Sequence, residues 1–595
     1  MTDSNARPRR AWVVPAALFA VALVVRIAHL IAFSDSPFAR LPILDAAFYD
    51  QWAREVAAGD WIGKGLWLGQ PLYAWFTGLL YAAAGASVIV PLAVQCLLGA
   101  GTVTLIWALA ARLLPRRAAH LTGGLAALFT PFLFTGGLLL SENLTLFLNA
   151  ALLVLALRGE RLGPRALFGL GALTGVAALA RIQILLFAVL YAGWLACARK
   201  ERRALAAALF LVGTALPVAP VTLRNVLVTG QPFLISANGG INFYLGNNPQ
   251  ARGLCTPPAC LRRGHSETYA DAQAEAERRA GRALTPRETD AFWWAEGRRF
   301  LGADLGASLG LWARKLAWFW NGFELSDVVD FYESKSHSAW LHLPVDFRLV
   351  GPFGLLGLIL LWRERRRAAP LYLYVASQVL FALLFFVNAR YRVLVAPALL
   401  VFAAAGLAWT AAAARARDAG RLLGGGVALG LASLLVFAPL GAARGGDLAP
   451  AERHANNGAA LLAQGRMEEA EQALRQALAL KPAHGKAHFH LGTILKGRKD
   501  GAGALAEFRA AAAAEPRLAP AHLQVGNLLL NEHHDPVGAE AAYRSALLAD
   551  PRMALARYNL GLALLSQRRG AEAQQEFAEA ARLDPKYAGK VPSLR

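Results

Sequence analysis

From Trp12 to Phe33 nearly every position is apolar, and the polar side chains that follow arrive together in "PILDAAFYDQWAREVAAGDW" at 42–61. Apolar runs of this kind recur over the first three quarters of the chain, and a run of roughly 20 residues is enough to cross a bilayer as a helix. They predict eleven spans, at about 11–33, 86–111, 118–136, 139–157, 166–180, 182–198, 204–221, 347–362, 371–388, 393–413 and 422–441. The helices around 70–85 read as interfacial. Two stretches break the pattern: 34–85, a first loop, and 222–344, a much larger segment.

Beyond 450 the period changes. "NNGAALLAQGRMEEAEQALRQALALKP", "FHLGTILKGRKDGAGALAEFRAAAAAEP", "LQVGNLLLNEHHDPVGAEAAYRSALLADP" and "YNLGLALLSQRRGAEAQQEFAEAARLDP" repeat, with closing prolines Pro482, Pro516, Pro551 and Pro585 spaced by 34, 35 and 34 residues. Gly458, Gly492, Gly526 and Gly561 keep the same phase. A small residue where paired helices cross and a proline ending each second helix make the tetratricopeptide pattern. The third repeat has one extra residue near "EHHDP", which predicts a longer turn between its helices; His533 and His534 there read as an exposed loop rather than metal ligands. The fold class is therefore an all-α membrane protein: a polytopic helical bundle over 1–441, a short linker at 442–450, and an α-solenoid over 451–595.

The chain has 595 residues, is 56% hydrophobic and 17% charged, and carries a formal net charge of +21. In a soluble domain that charge would suggest nucleic acid. Here the basic residues fall in short clusters between apolar runs, such as Arg112, Arg116 and Arg117, or Arg363, Arg365, Arg366 and Arg367. That is what positive-inside topology produces, and it excludes nucleic acid as the partner. It keeps the amino terminus in the cytoplasm and puts 34–85, 222–344 and the repeats outside, on the periplasmic face of a bacterial inner membrane. The first run is long, carries Arg26 and lacks a small-residue cleavage site, so it reads as an uncleaved anchor. Cys255 and Cys260, in "CTPPAC", are candidates for a disulfide in an oxidising compartment; the alternative is two free thiols. Cys96 and Cys197 lie in apolar runs and read as packing residues.

Candidate chemistry gathers at the outer ends of the spans. Asp45 follows the first span, where a carboxylate can take a proton from an acceptor hydroxyl or amine, or can merely cap the helix beginning near Ala46. Glu142, in "LSENLTLFLN", stands where an ionisable group is costly unless used or paired. Arg181 ends "GALTGVAALAR", and Arg390 and Arg392 in "ARYRVLVAP" run against the positive-inside bias. Arginines at this level suit a lipid phosphate, which they can grip with two parallel hydrogen bonds; the bland alternative is acid–arginine pairing within the membrane. Arg224 and Asn225 end a span and read as anchors of the outer segment.

With these residues in place the chain resembles the family 39-type glycosyltransferases of the GT-C superfamily, which include protein O-mannosyltransferases and lipid A aminoarabinose transferases. The resemblance rests on "LDAAFYDQWA", "GQPLYAWFTGLLYAAAG", "LSENL", "GALTGVAALAR", "PVTLRNVLVTG", "SANGGINFYLGNNP", "KLAWFWNGFE" and "ARYRVLVAP", in that order, over about 11–440. One departure is plain: protein mannosyltransferases have a paired Asp-Glu in the first outer loop, and here Asp45 is followed by Ala46. The resemblance implies inverting sugar transfer from a polyprenyl-phosphate donor. Asp45 would be the general base, and Glu142 the second acid, positioning acceptor or assisting a divalent metal. Arg181, Arg390 and Arg392 would bind the donor phosphate, with Lys315 either adding a charge or serving as an interfacial lysine. Asn238, Gly239 and Gly240 with Gly246, Asn247 and Asn248 would form a tight loop near the site, or a purely structural turn.

Two function classes follow. The first is an enzyme moving a sugar to a protein, glycan or lipid acceptor, with the repeats recruiting acceptor or partner. The second is a non-catalytic membrane scaffold whose degenerate transferase domain presents the repeats to partner proteins. An uncompensated carboxylate beside a lipid-sized space favours the enzyme. Expected partners are the lipid-linked donor, the acceptor, membrane lipids and a protein on the repeats. The groove-side candidates there are Asn456, Asn457, His488, His490, His522, Gln524, Tyr558 and Asn559.

Overall fold

Each apolar run folds as a helix or a bent helix pair. In the computed structural model, which describes residues 12–34, 36–40, 42–199, 201–255, 265–325, 329–440 and 450–588, no strand occurs among the described residues. A single parallel bridge joins Leu254 and Val387. The chain divides into two compact units, Met1–Asp447 and Leu448–Arg595.

The eleven expected spans correct in one respect. Five helices have the length and composition to cross a bilayer unaided: Val13–Phe33, Ile89–Ala110, Arg203–Thr229, Ala389–Arg415 and Ala419–Val436. Arg116–Leu128 and Thr130–Gly136, bent by 42°, make a sixth if counted as one broken span. Glu142–Ala156, Pro164–Ala180, Ile184–Ala198 and Ala369–Leu384 are apolar but shorter, and Phe347–Leu360 has only 14 residues. A 15-residue helix reaches roughly 22 Å, against a hydrocarbon core of about 30 Å. Several of these helices are short because they begin or stop at the polar residues of the site: Glu142 opens one and Arg181 caps the end of another. Conversely, the run expected to end at 221 continues as helix to Thr229, past Pro217 and Pro220.

Small residues let these helices approach closely. A Cβ on Gly171 would lie 2.0 Å from the Phe210 carbonyl oxygen, and one on Gly175 2.3 Å from that of Thr214, so Pro164–Ala180 meets Arg203–Thr229 backbone to backbone. In the first loop, Asp45–Ala57 turns Tyr49, Trp52, Ala53 and Val56 inward at helical spacing onto Pro71–Ala84, where Gly78 admits the Val56 side chain. The larger segment builds its own core from Ile241, Tyr244, Ala272, Ala276, Leu284 and Trp293. Arg224, inside Arg203–Thr229 and not at its end, ties that helix to the first loop: its guanidinium donates to the carbonyls of Ile62, Gly63 and Gly65 at 2.7–3.0 Å and lies over Trp67, while Asn225 donates to the Phe233 and Ile235 carbonyls of the larger segment. Cys96 is buried, whereas Cys197, at the end of its helix, is exposed. Of the disulfide candidates, Cys255 is half-buried and Cys260 lies outside the described residues.

The second unit is four helix pairs: Pro450–Ala463 with Met467–Leu480, Gly485–Gly497 with Gly501–Ala514, Ala519–Asn531 with Pro536–Ala549, and Ala554–Ser566 with Gly570–Leu583. The four phased glycines each face a large apolar side chain of the partner helix: Leu474, Phe508, Tyr543 and Phe577. The third pair has the longer turn, 532–535. Two groove candidates have a different duty: His488 and His522 hydrogen-bond the carbonyls of Pro482 and Pro516, locking each repeat to the end of the one before. Tyr558 stacks on Tyr587. Gln524 and Asn559 join links between repeats, with Lys496 at 2.8 Å and Asn527 at 2.8 Å.

Candidate functional site

Four element ends converge. Asp45 is the first residue of Asp45–Ala57, and the residue before it, Leu44, has φ 49° and ψ −119°, a strained backbone for a side-chain-bearing residue. That kink re-aims the chain after Pro42. Glu142 is the first residue of Glu142–Ala156 and is fully buried. Both acids thus sit at helix N-termini, where the backbone dipole favours negative charge. Arg181 caps the C-terminal end of Pro164–Ala180. Arg390 belongs to the single turn Ala389–Arg392, fixed by the Asn388 side chain accepting from the Tyr391 N–H at 2.8 Å.

The four side chains meet. Arg390 is shared: one nitrogen pairs with Asp45, and Nε donates to Glu142 Oε1 at 2.6 Å. Arg181 donates to the same Glu142 oxygen and lies 5.4 Å from the Tyr391 ring centroid. Two carboxylates therefore face two guanidiniums. The second oxygen of Glu142, Oε2, and Nε of Arg181 are buried with no partner, which is costly for a charged group in a resting fold. Asp45 differs, keeping 18% of its side-chain surface accessible. Tyr49 lies close by, its hydroxyl 3.4 Å from Gln70 Oε1, and burial raises its pKa, so it remains a neutral donor.

A cavity of about 170 Å³ opens beside Arg181. Its lining includes the aromatic side chains of Trp294, Phe381, Phe385, Phe386 and Tyr391 and the polar side chains of Gln70, Gln183, Ser236, Asn238 and Asn242. None of the described lining residues is acidic. On the outer segment, Asp290 accepts from the Gly240 N–H, and burial raises its pKa.

The expected loop residues divide. Asn238 and Gly239 line the cavity, and Asn238 is held by its Nδ2 donating to the Leu68 carbonyl at 2.6 Å. Asn247 and Asn248 are buried in the framework, donating to Phe243 and Leu384 and to Tyr244 and Leu245 respectively. Lys315, expected as a phosphate contact or an interfacial lysine, is fully buried; its ammonium donates to Asn247 Oδ1 at 2.9 Å and the Leu383 carbonyl at 2.8 Å, and burial lowers its pKa to about 7. Arg392 does not join Arg390. Two residues on, its guanidinium turns to Glu324 at 2.7 Å and to the Asn321 and Phe323 carbonyls, over the Phe347 ring. It is an internal brace.

Gln70, Gln183, Trp294 and Tyr391 were not singled out in the sequence. Three of them stand inside the stretches "GQPLYAWF", "RIQILLF" and "ARYRVL", beside residues that were; Trp294 had no signal beyond being an aromatic in the outer segment. No group of three or more His, Cys, Asp or Glu placed to hold a metal occurs among the described residues. Between Asp45 and Glu142, Arg390 already fills the position that a bridging cation would take, so the pair does not fit a divalent metal in this arrangement.

Residues 69–223 match the family model described as dolichyl-phosphate-mannose-protein mannosyltransferase, a match that includes Glu142 and Arg181. Residues 456–520 and 531–588 match the tetratricopeptide repeat model. No curated protein matches the chain. Among solved structures, a crystal structure of MamA is 21% identical, covering 23% of this chain and 80% of that one with a TM-score of 0.22. A MamA fragment from Desulfovibrio magneticus RS-1 is 24% identical over 23% and 76%, TM-score 0.21. A Pseudomonas aeruginosa pilF structure is 26% identical over 23% and 64%, TM-score 0.22.

Proposed function

We propose, for a chain that is a GT-C mannosyltransferase-like membrane protein with C-terminal tetratricopeptide repeats, that its first unit transfers a sugar from a polyprenyl-phosphate donor to an acceptor hydroxyl at the outer face of a bacterial inner membrane. The observation that carries this reading is the quartet of Asp45 with buried Glu142, Arg181 and Arg390, left with one unsatisfied acceptor on Glu142 and one unsatisfied donor on Arg181. A phosphate completes the Arg181 donor, and a hydroxyl or the sugar completes Glu142 Oε2.

Asp45 is the base, because it alone of the two acids is accessible. It takes the proton as the acceptor oxygen forms its bond to the anomeric carbon from the face opposite the phosphate. The carbon–phosphate oxygen bond breaks with its electron pair, and polyprenyl phosphate leaves with one more negative charge and inverted sugar behind it. Arg181 and Arg390 stabilise that developing charge in a site from which bulk water is largely excluded. Glu142, doubly paired, holds the arginines at the right spacing. The adjoining cavity takes the sugar: its aromatic side chains suit the C–H face of a pyranose and its amides the hydroxyls. With Arg181 and no acid among its described lining residues, it suits an uncharged hexose better than a cationic aminoarabinose. The repeats recruit the protein or other acceptor.

The test uses the full chain in lipid nanodiscs supplied with polyprenyl-phosphate mannose or polyprenyl-phosphate aminoarabinose, following release of polyprenyl phosphate. Mass spectrometry of envelope glycoproteins and glycolipids from cells with and without the chain then identifies the product. Donor consumption with the mannose lipid and loss of a hexosylated product in the deleted strain support the reading. No consumption of either donor and an unchanged envelope overturn it in favour of a scaffold.

A further inference from the structure

The helix Leu305–Trp320 has a face that no described residue covers. Leu305, Leu309, Trp312 and Leu316, spaced along one side, are 68%, 53%, 38% and 41% exposed, while Ser308, Leu311, Lys315 and Trp318 bury the neighbouring side. The rest of the open surface is small, with Gly306, Ala307 and Ala313, except for Arg314. Arg298 and Arg299, exposed on the preceding helix, add basic charge just before the stripe begins. A water-facing helix would not expose four large apolar side chains in register.

Its level is fixed by two ties to ends of apolar helices. Lys315 donates to the carbonyl of Leu383, in the last turn of Ala369–Leu384. At the helix's own C-terminal end, the Gly322 N–H donates to the Val436 carbonyl at 2.7 Å and Asn321 to that of Ala438 at 3.0 Å, at the end of Ala419–Val436. That last helix exposes Leu423, Val427, Leu431 and Leu434, and Phe437 follows directly. An open apolar band thus runs up a membrane-length helix to the point where Leu305–Trp320 is attached. The same end of the bundle carries Glu142, Arg181 and Arg390.

We propose that Leu305–Trp320 is an interfacial helix that lies in the outer leaflet, its Leu305–Leu309–Trp312–Leu316 stripe among acyl chains and Arg298, Arg299 and Arg314 on anionic phospholipid headgroups. A basic amphipathic helix with a broad apolar side binds such a surface in this way. The helix is held on the protein side by Lys315, which through Asn247 and Leu383 also braces the turn leading to Phe385 of the cavity wall.

The experiment places the photoreactive residue p-benzoylphenylalanine at position 309 or 316 of the full chain, in nanodiscs of phosphatidylethanolamine and phosphatidylglycerol, with position 287, exposed at the start of the preceding helix, as a control. Irradiation should yield phospholipid adducts at 309 and 316 and none at 287, read by mass spectrometry of the digested chain. Adducts to a second copy of the chain, or none at either position, would overturn the proposal. In the second arm, R298Q/R299Q/R314Q spares the buried side of the helix. Adduct yield at 309 should rise several-fold as phosphatidylglycerol replaces phosphatidylethanolamine in the parent and stay flat in the triple variant. An equal rise in both removes the headgroup contact from the proposal.

Discussion

Asp45 keeps part of its carboxylate accessible while Glu142 is sealed beneath two guanidiniums, so their replacements should differ. Asp45→Asn keeps the shape and removes the basicity; transfer should fall by about 10²–10⁴-fold while a photolabelled donor still binds, and near-parental turnover would strip Asp45 of the role. Arg392→Ala should act on stability instead, since it strands Glu324 as a buried unpaired charge at a cost of about 3–5 kcal/mol; a lowered Tm with an unaltered donor KM in the folded fraction is the expected pair of readings. Lys315 gives a pH signature. Its pKa is held at about 7 against an ordinary 10.5, so the folded chain disfavours the ammonium. Above 10.5 neither state carries the proton and the stability is full; as pH falls toward 7 the unfolded chain protonates first and stability declines; below 7 the curve levels. Lys315→Met should flatten Tm against pH between about 7 and 10.5, and an unchanged slope would assign it to other groups. Asp45, Glu142, Arg181 and Arg390 were legible as candidates because ionisable groups at the ends of apolar runs are costly unless paired. Arg392 was not separable from Arg390, since sequence spacing does not say which side of a single turn faces the cavity. Gln70, Gln183, Trp294 and Tyr391, which also line the cavity, are neutral and scattered over distant segments, so neither charge nor periodicity marked them.

At the scale of elements, the apolar pattern located every bundle helix but not its length. Arg181 falls, as that pattern predicts, between two helices. Glu142 lies inside a run that reads as continuous, 139–157, and its helix begins at that residue, whose side chain turns to Arg181. The bend at Phe129, between Arg116–Leu128 and Thr130–Gly136, was likewise hidden in an unbroken apolar stretch, with Pro131 the only sign. The repeats were more legible, because glycine phase and closing proline report helix crossing and helix end directly. Helix contact in the bundle is testable at Gly171: a side chain there meets the Phe210 carbonyl, not a movable side chain. Gly171→Leu should destabilise the bundle by at least the roughly 1–3 kcal/mol typical of overpacking, seen as a lower Tm and reduced yield of monodisperse protein. A variant indistinguishable from the parent would mean that Pro164–Ala180 and Arg203–Thr229 do not approach so closely.

For the whole molecule, the sequence expectation of eleven crossings from a cytoplasmic amino end would put the repeats outside, whereas five or six helices have the length to cross unaided. A periplasm-dependent reporter fused after Arg595 should be active; activity of a cytoplasm-restricted reporter there would show that the short helices do not all cross. Deleting 450–595 should spare hydrolysis of the lipid donor and glycosylation of a small hydroxylated surrogate while weakening use of the natural acceptor, and equal transfer at low acceptor concentration would leave the repeats another task. Arg390, divided between Asp45 and Glu142, also has a kinetic corollary. While that guanidinium holds Asp45, the carboxylate is a poor proton acceptor. On the proposed function, a donor phosphate arriving beside Arg181 would compete for the same group and so release the base. The cycle should therefore be compulsory-order, donor first, with polyprenyl phosphate competitive against donor and noncompetitive against acceptor; in the empty enzyme, water finds no base ready to deprotonate it.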